Sequence, residues 1–577
     1  MRRSCRIAVA ATTALTLWLG GQGALAQKSG GILKMPDFAS PASMSIHEEV
    51  TRAAVTVLMP VFNNLVLFDQ HKERNTIDTI VPDLAESWAW SEDGKELTFK
   101  LRRGVKWHDG KPFTAADVKC TWDLLQGKTQ EKLRLNPRKA WYRTLDEVTT
   151  KGDEVTFHLK RSQPYFLVLL ASGVSPVYPC HVSPAQMRQH PIGTGPFKFV
   201  EYKPNEYVKL TRNPDYWRPG RPYLDGLEFP IVSSVATRNL MFIADNVDMT
   251  LSYGVSMPLL RDIKSQVSDA TCTITTDNGA RNLIINPAKP PFDNPELRRA
   301  LSLTLDRKAF IDILVEGQGL IGGTMQPPPD GIWGLPAEKL AELPGYSSDV
   351  AKNRAEARAI MEKLGYGPNK RLAVTVSTRN TAGYRDPAVI AIDQMKEIYV
   401  DGTLEPIETA NWFPKVIRKD YTVGANISET AVDDPDQMFY ENYACGSDRN
   451  YTGFCDKEVD ALIDRQSAEP NAEKRRQLVW EIERRLARDA SRPIIFYTRV
   501  ATCWRPRVKG LNLVVNSVFN SWRFEDVGDV VDCRLDAEHA AVLVVHLDRG
   551  TGEAVFDAGP LDASGKLRTD LLGQLRA

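Results

Sequence analysis

The chain has 577 residues, with 73 lysines and arginines against 73 aspartates and glutamates. That length is too great for one compact core and implies two or three domains. Hydrophobic residues at 42% and charged residues at 25% describe an ordinary globular chain, and zero formal charge excludes a global pull toward nucleic acid or an anionic membrane.

The first 26 residues stand apart. Arg2, Arg3 and Arg6 precede an apolar run, Ile7–Leu19, that is too short to span a bilayer. Ala24-Leu25-Ala26 is a small-x-small cleavage site, so a mature chain starting at Gln27 with net charge −3 is expected. The alternative is a short N-terminal anchor. No cysteine stands at the cleavage site, which argues against a lipid anchor, and no later segment reads as a membrane span. The expected product is exported and soluble.

Seven cysteines remain after the leader, none in a C-x-x-C pair, so neither a zinc knuckle nor a thioredoxin-type motif is supported. Cys445 and Cys455 flank a short polar loop and are a candidate disulfide in an oxidising compartment, with two buried thiols as the alternative. An odd count leaves at least one free thiol.

Residues 28–230 read as strand-rich. "WAWSEDGKELTFKL" sets alternating apolar runs on either side of Asp93-Gly94, a hairpin signal. "VKWHDGKPF" repeats the device at Asp109-Gly110. Thr114 then caps a helix, with Asp117 three residues on and Val118, Trp122 and Leu125 at helical spacing. Val155–Ser172 reads as a strand followed by a short apolar helix, and Gly193–Trp217 as two strands joined at Pro204-Asn205. From Phe292 the pattern becomes helical, with Pro295 at a first helical position and apolar strands such as "RLAVTVST" and "RPIIFYT" between amphipathic helices. This is an α/β pattern.

Catalytic motifs are missing: there is no H-E-x-x-H, G-x-S-x-G or G-x-x-x-x-G-K-[ST]. "GTGPF" lacks the lysine and serine of a phosphate loop. His108 and Asp109 invite a base-and-partner reading, but they sit on the shoulder of a turn, and a structural role is expected. Their replacement should alter stability by about 1 kcal/mol and leave ligand affinity nearly unchanged.

Three stretches together, "PDLAESWAWSEDGKELTFKLRRGVKWHDGKPFTAADVKCTWD", "GTGPFKFVEYKPNEYVKLTRNPDYW" and "FDNPELRRALSLTLDRKAFI", occur in one order and spacing. The chain from about Gly30 to Val527 resembles the extracytoplasmic solute-binding proteins of peptide, dipeptide and nickel ABC importers (solute-binding protein family 5). The resemblance implies an α/β, two-lobed periplasmic-binding-protein (clamshell) fold with an extra α+β subdomain. Lobe I would be built from 27–70, 193–285 and 500–528, the extra subdomain from 71–192 and lobe II from 286–499, with hinges near Asn286 and Arg499. Residues 529–577 run past the family's usual end as an atypical extension, with one hairpin expected around Gly550-Thr551-Gly552.

The resemblance further implies no reaction, cofactor or metal, and a monomer that hands a peptide or other small solute to a membrane permease. Dipeptide-type relatives anchor the ligand carboxylate with an arginine after the "V-x-V" strand, which points to Arg379 or Arg385. They hold the ligand amine with an aspartate just before "D-P-D". Here that position is Ala431, a departure that argues against strict dipeptide recognition, with Glu429 or Asp433 as substitutes. Tyr384 and Trp412 are candidate aromatic walls, and His47 lies where the first strand would meet the cleft. An exported hydrolase acting on peptides or glycans, and a binding protein feeding a chemoreceptor, remain as alternatives.

Overall fold

A computed structural model describes residues 29–49, 51–251, 254–514, 517–520 and 522–528, and two strands of the tail. The leader, Gln27 and Cys533 lie outside the described residues. Among the described residues, no helix is long and apolar enough to cross a membrane.

Three larger sheets organise the molecule. The first has the order Ile32–Lys34, Gly226–Pro230, Tyr207–Arg212, Phe197–Lys203. The second is antiparallel and has the order Ala85–Trp90, Glu96–Leu101, Glu154–Leu159, Leu145–Lys151. The third has six strands: Gly319–Leu320, Ile494–Trp504, Thr271–Ile285, Val423–Glu429, Leu372–Arg379 and Val400–Ile407.

Local chemistry explains the second sheet and its helix. The hairpin turns at Gly94, whose positive φ of 66° suits glycine. Helix Ala115–Gln126 opens with a capping box: the Asp117 carboxylate accepts the Thr114 N–H at 2.8 Å. Val118, Trp122 and Leu125 form its buried face. Gly127, at φ 72°, ends it in the left-handed conformation.

The glycines of "GTGPF" answer to packing. A Cβ on Gly193 would stand 1.9 Å from the Val61 carbonyl oxygen, and one on Gly195 would stand 2.5 Å from that of Pro60. Only glycine lets these backbones approach so closely.

The strands Thr271–Ile285 and Ile494–Trp504 run side by side through the middle of the molecule. Their register shifts between Thr276 and Ala280, opposite the Tyr497–Arg499 stretch. That break comes earlier in the chain than Asn286, which sits at the far end of the strand, donating its N–H to the Thr422 carbonyl at 3.0 Å. Cys272 and Cys503 face each other across the lower half of the pair and form a disulfide. Cys120–Cys180 and Cys445–Cys455 are also joined. Spacing pointed only to the last. The other two close 60 and 231 residues, and no local pattern marks such pairs.

One apolar core runs from the second sheet (Phe99, Phe157) and its helix (Trp122) through Trp141 and Phe166 to Tyr440, Ile463 and Ile482. It therefore crosses the boundary expected between 71–192 and 286–499. In the tail, Val542–Leu547 pairs antiparallel with Ala554–Gly559; the expected turn at Gly550–Gly552 lies outside the described residues.

Candidate ligand-binding cleft

The strands Leu372–Arg379 and Val423–Glu429 are parallel neighbours. Arg379 and Glu429 are each the last residue of their strand, so both emerge on one edge of the sheet. Polar groups gather there because the loops beyond strand ends rest on a rigid base. Facing that edge lie helix Arg52–Leu58 and the Arg138–Trp141 segment. Between them is a cavity of about 1050 Å³, at the upper end of small-molecule sites.

Arg52 reaches across to Glu429, at 3.0 Å. A second bridge is built on helix Pro435–Asn442. Gln437 and Glu441 stand one turn apart on its cavity-facing side. The Gln437 carbonyl oxygen accepts the N–H groups of Ala431 and Val432 at 2.7 and 3.1 Å. The Glu441 carboxylate takes the Trp141 indole N–H and the Arg449 guanidinium, the latter at 2.7 Å. Arg138 is buried and donates to the Ile46 carbonyl at 2.8 Å; burial pulls its guanidinium down to about 10.

The seven candidate residues separate on placement. Arg379, Tyr384 and Glu429 line the cavity. Arg379 donates to the Thr409 hydroxyl at 3.0 Å and lies over the rings of Tyr384 and Phe413. Burial pushes the Tyr384 phenol up to about 12. Arg385 instead stands at the surface beside Asp386, at 3.2 Å. The two residues diverge because the helix begins at Ala382, putting both on its first turn. Trp412 is fully buried, packed with Ile284, Val416, Tyr421 and Tyr451; its neighbour Phe413 reaches the cavity.

Asp433 turns away from the cavity. It accepts the Ile332 N–H at 2.9 Å, and burial pushes it up to about 7. His47 is fully buried against Tyr178, its Nε2 bonded to the Pro176 carbonyl at 2.9 Å, and burial pulls it down to about 3. Among the described residues, no cluster of three or more His, Cys, Asp and Glu side chains could hold a metal ion. Arg52, Arg138, Trp141, Gln437, Glu441 and Arg449 were not foreseen. A helical reading of "DPDQMFYEN" would have paired Gln437 with Glu441; the others carry no local signal.

His108 is a clasp between the second sheet's domain and the "GTGPF" segment. Its Nδ1 accepts the Gly193 N–H at 3.3 Å and its Nε2 donates to the Gly195 carbonyl at 3.0 Å. Burial pulls the imidazole down to about 4. Asp109 lies 2.7 Å from His181 and caps the Lys111 N–H. The His108→Ala variant is expected to lose about 1–3 kcal/mol at neutral pH, because two backbone groups lose their partner. This exceeds the loss anticipated for a turn residue. The unfolded imidazole titrates near 6.5 and the folded one near 4, so the folded state binds fewer protons. The stabilisation is complete above pH 6.5 and is lost as pH falls toward 4. Melting curves across that window should show the gap between wild type and variant narrowing in acid, with ligand affinity unchanged.

Two lobes enclosing a solute-sized cavity with charged side chains in its lining define the class of two-lobed binding proteins. Residues 79–450 match the family described as bacterial extracellular solute-binding proteins, family 5. The chain belongs to that family. It is 26% identical over 467 residues to di/tripeptide-binding protein 3 of Pseudomonas aeruginosa, a match that covers 76% of this chain and 83% of the relative. Its fold is shared with the ABC transporter-associated periplasmic binding protein of Helicobacter pylori solved with the peptide STSA (TM-score 0.76, 20% identity, covering 87% of this chain and 99% of that one). It is also shared with OppA of Haemophilus influenzae solved with the peptide RPPGFSPFR (TM-score 0.74, 23% identity, covering 87% and 99%).

Proposed function

We propose that the protein is the periplasmic substrate-binding component of an ABC importer, capturing peptides or similar small organic solutes and handing them to a permease at the inner membrane. The observation that carries this reading is the cavity of about 1050 Å³ closed from both sides by Arg52–Glu429 and Trp141–Glu441. Family membership and peptide-binding relatives support it. A ligand in such a cavity touches both lobes only when they are closed, so it shifts the population toward the closed form. The register break at Thr276–Ala280 is the natural hinge, since the ladder between the two connecting strands is interrupted there.

No reaction is assigned. His108, the residue of the base-and-partner reading, is tied to backbone groups of Gly193 and Gly195. The test is small-angle scattering with and without a di- and tripeptide library, beside mass spectrometry of peptides recovered intact. Binding with a compacted scattering curve and no cleavage is expected. Cleavage products would favour a hydrolase, and unchanged scattering on binding would remove the clamshell mechanism.

A further inference from the structure

We infer that Arg449, held in place by Glu441, forms the end wall of the binding cavity and sets the longest peptide that the protein accepts. The inference rests on the binding role proposed above and specifies the length of its ligand.

A second cavity, of about 480 Å³, adjoins the main one. Phe413, Arg449 and Tyr451 line both, so these side chains stand between the two. The turn Lys139–Tyr142 divides in the same way: Trp141 faces the main cavity, and Lys139, Ala140 and Tyr142 face the second. Both cavities thus lie along one seam, between the second sheet's domain and the segments around helices Thr409–Ile417 and Pro435–Asn442.

A cross-tie separates them. Trp141 donates its indole N–H to the Glu441 carboxylate from one side of the seam, and Arg449 pairs with the same carboxylate at 2.7 Å from the other. Glu441 is buried, so salt screens this pair little. The loop that carries Arg449 is itself braced. The Cys445–Cys455 disulfide closes it. Inside it the Asn450 amide donates to the carbonyls of Tyr443, Ala444 and Phe454 at 3.2, 3.2 and 2.7 Å. Tyr421 donates its hydroxyl to the Tyr451 carbonyl at 2.8 Å. Phe413 follows Trp412, which is anchored in the core. A wall braced in this way rejects an overlong ligand by steric clash, and such rejection is one route to specificity.

The volumes set the expected limit. An extended peptide residue fills roughly 160 Å³, given its rise and the spacings of strands and sheets. The main cavity of about 1050 Å³ therefore takes about six residues, and the second would take about three more.

The test is mass spectrometry of the peptides retained from a protein digest spanning dipeptides to dodecapeptides, with wild type, Arg449→Ala and Phe413→Ala compared. The wild type is expected to retain lengths up to about six residues. Arg449→Ala should move that limit up by about three residues and bind a retained nonapeptide at least about tenfold more tightly than the wild type does. In this variant Glu441 keeps the Trp141 indole and the nearby charge of Arg138, so the fold is expected to hold. Phe413→Ala trims the wall from the other side and leaves the ion pair in place. It should shift the limit in the same direction by less, and it decides the matter by itself if Arg449→Ala fails to fold. If the folded variants retain only wild-type lengths, or if the wild type retains nonapeptides as readily as hexapeptides, the wall is wrong and the binding role stands. If the wild type retains no peptide of any length, both fall.

Discussion

Replacing Arg475 with alanine is expected to lower the stability of the protein by about 3–5 kcal/mol, because it leaves buried carboxylates without their cation. The guanidinium is fully buried and forks onto Asp434 at 2.7 and 2.8 Å, with Asp436 at 3.2 Å. It also lies 3.8 Å from the ring centre of Tyr165 and 4.7 Å from that of Trp333. Asp436 in turn accepts the Gln163 amide at 2.7 Å, tying the second sheet's domain to helix Pro435–Asn442. Burial pushes the Asp434 carboxyl up to about 6 even with Arg475 beside it. Desolvation therefore consumes much of the attraction, and the network is easier to break than to profit from. Arg475→Lys should rescue only part of the loss, since an ammonium cannot present the fork. Urea unfolding followed by tryptophan fluorescence is the measurement. A loss below about 1 kcal/mol for the alanine variant would mean that the network relaxes or admits water.

The second large effect concerns the cleft. Glu429→Ala is expected to weaken ligand binding by about 2–5 kcal/mol, or about 30- to several-thousand-fold, with little change in the melting of the ligand-free protein. The pair it forms with Arg52 joins the two sides of the cavity, and both side chains are largely shielded from water. Loss of either partner removes this bridge from the closed state. Arg52→Ala should therefore cost a similar amount, and the double variant little more than either single one. Such non-additivity is the signature of one shared interaction. Full additivity would mean that Glu429 and Arg52 act on the ligand separately rather than as a latch.

A third network explains why the recognisable motifs are structural. Asp83, from "PDLAESW", accepts the Asn63 amide and the Asn64 N–H, each at 2.9 Å, and pairs with Arg523 at 3.1 Å. Arg218, following "NPDYW", pairs with Glu525 at 2.7 Å and approaches Asp83 at 3.4 Å. Tyr216 of the same motif donates its hydroxyl to Glu525. Segments far apart in sequence meet at one buried charge cluster. The aspartate and tyrosine that make the motifs legible hold the frame and leave the cavity to other residues.

Much was determined by the sequence alone. Period-2 and period-3.6 patterns located the hairpin at Asp93-Gly94, the capped helix after Thr114 and the strand in "RLAVTVST", because these depend on neighbours a few residues away. The motifs carried the family, and with it the two-lobed fold. Ala431, where dipeptide-type relatives place an aspartate, raises the expectation that recognition is not strictly of dipeptides. Only the tertiary structure decided which side chains face the cavity. Whether Tyr384 lines the site while Arg385 meets solvent depends on where a helix begins and how it is rotated. Trp412 is core and Phe413 is wall for the same reason. Arg52, Arg138 and Glu441 come from three distant segments and carry no local pattern, as do the disulfides Cys120–Cys180 and Cys272–Cys503. The lining of the cleft is likewise assembled from segments that only folding brings together, because packing sets side by side residues that the sequence keeps far apart.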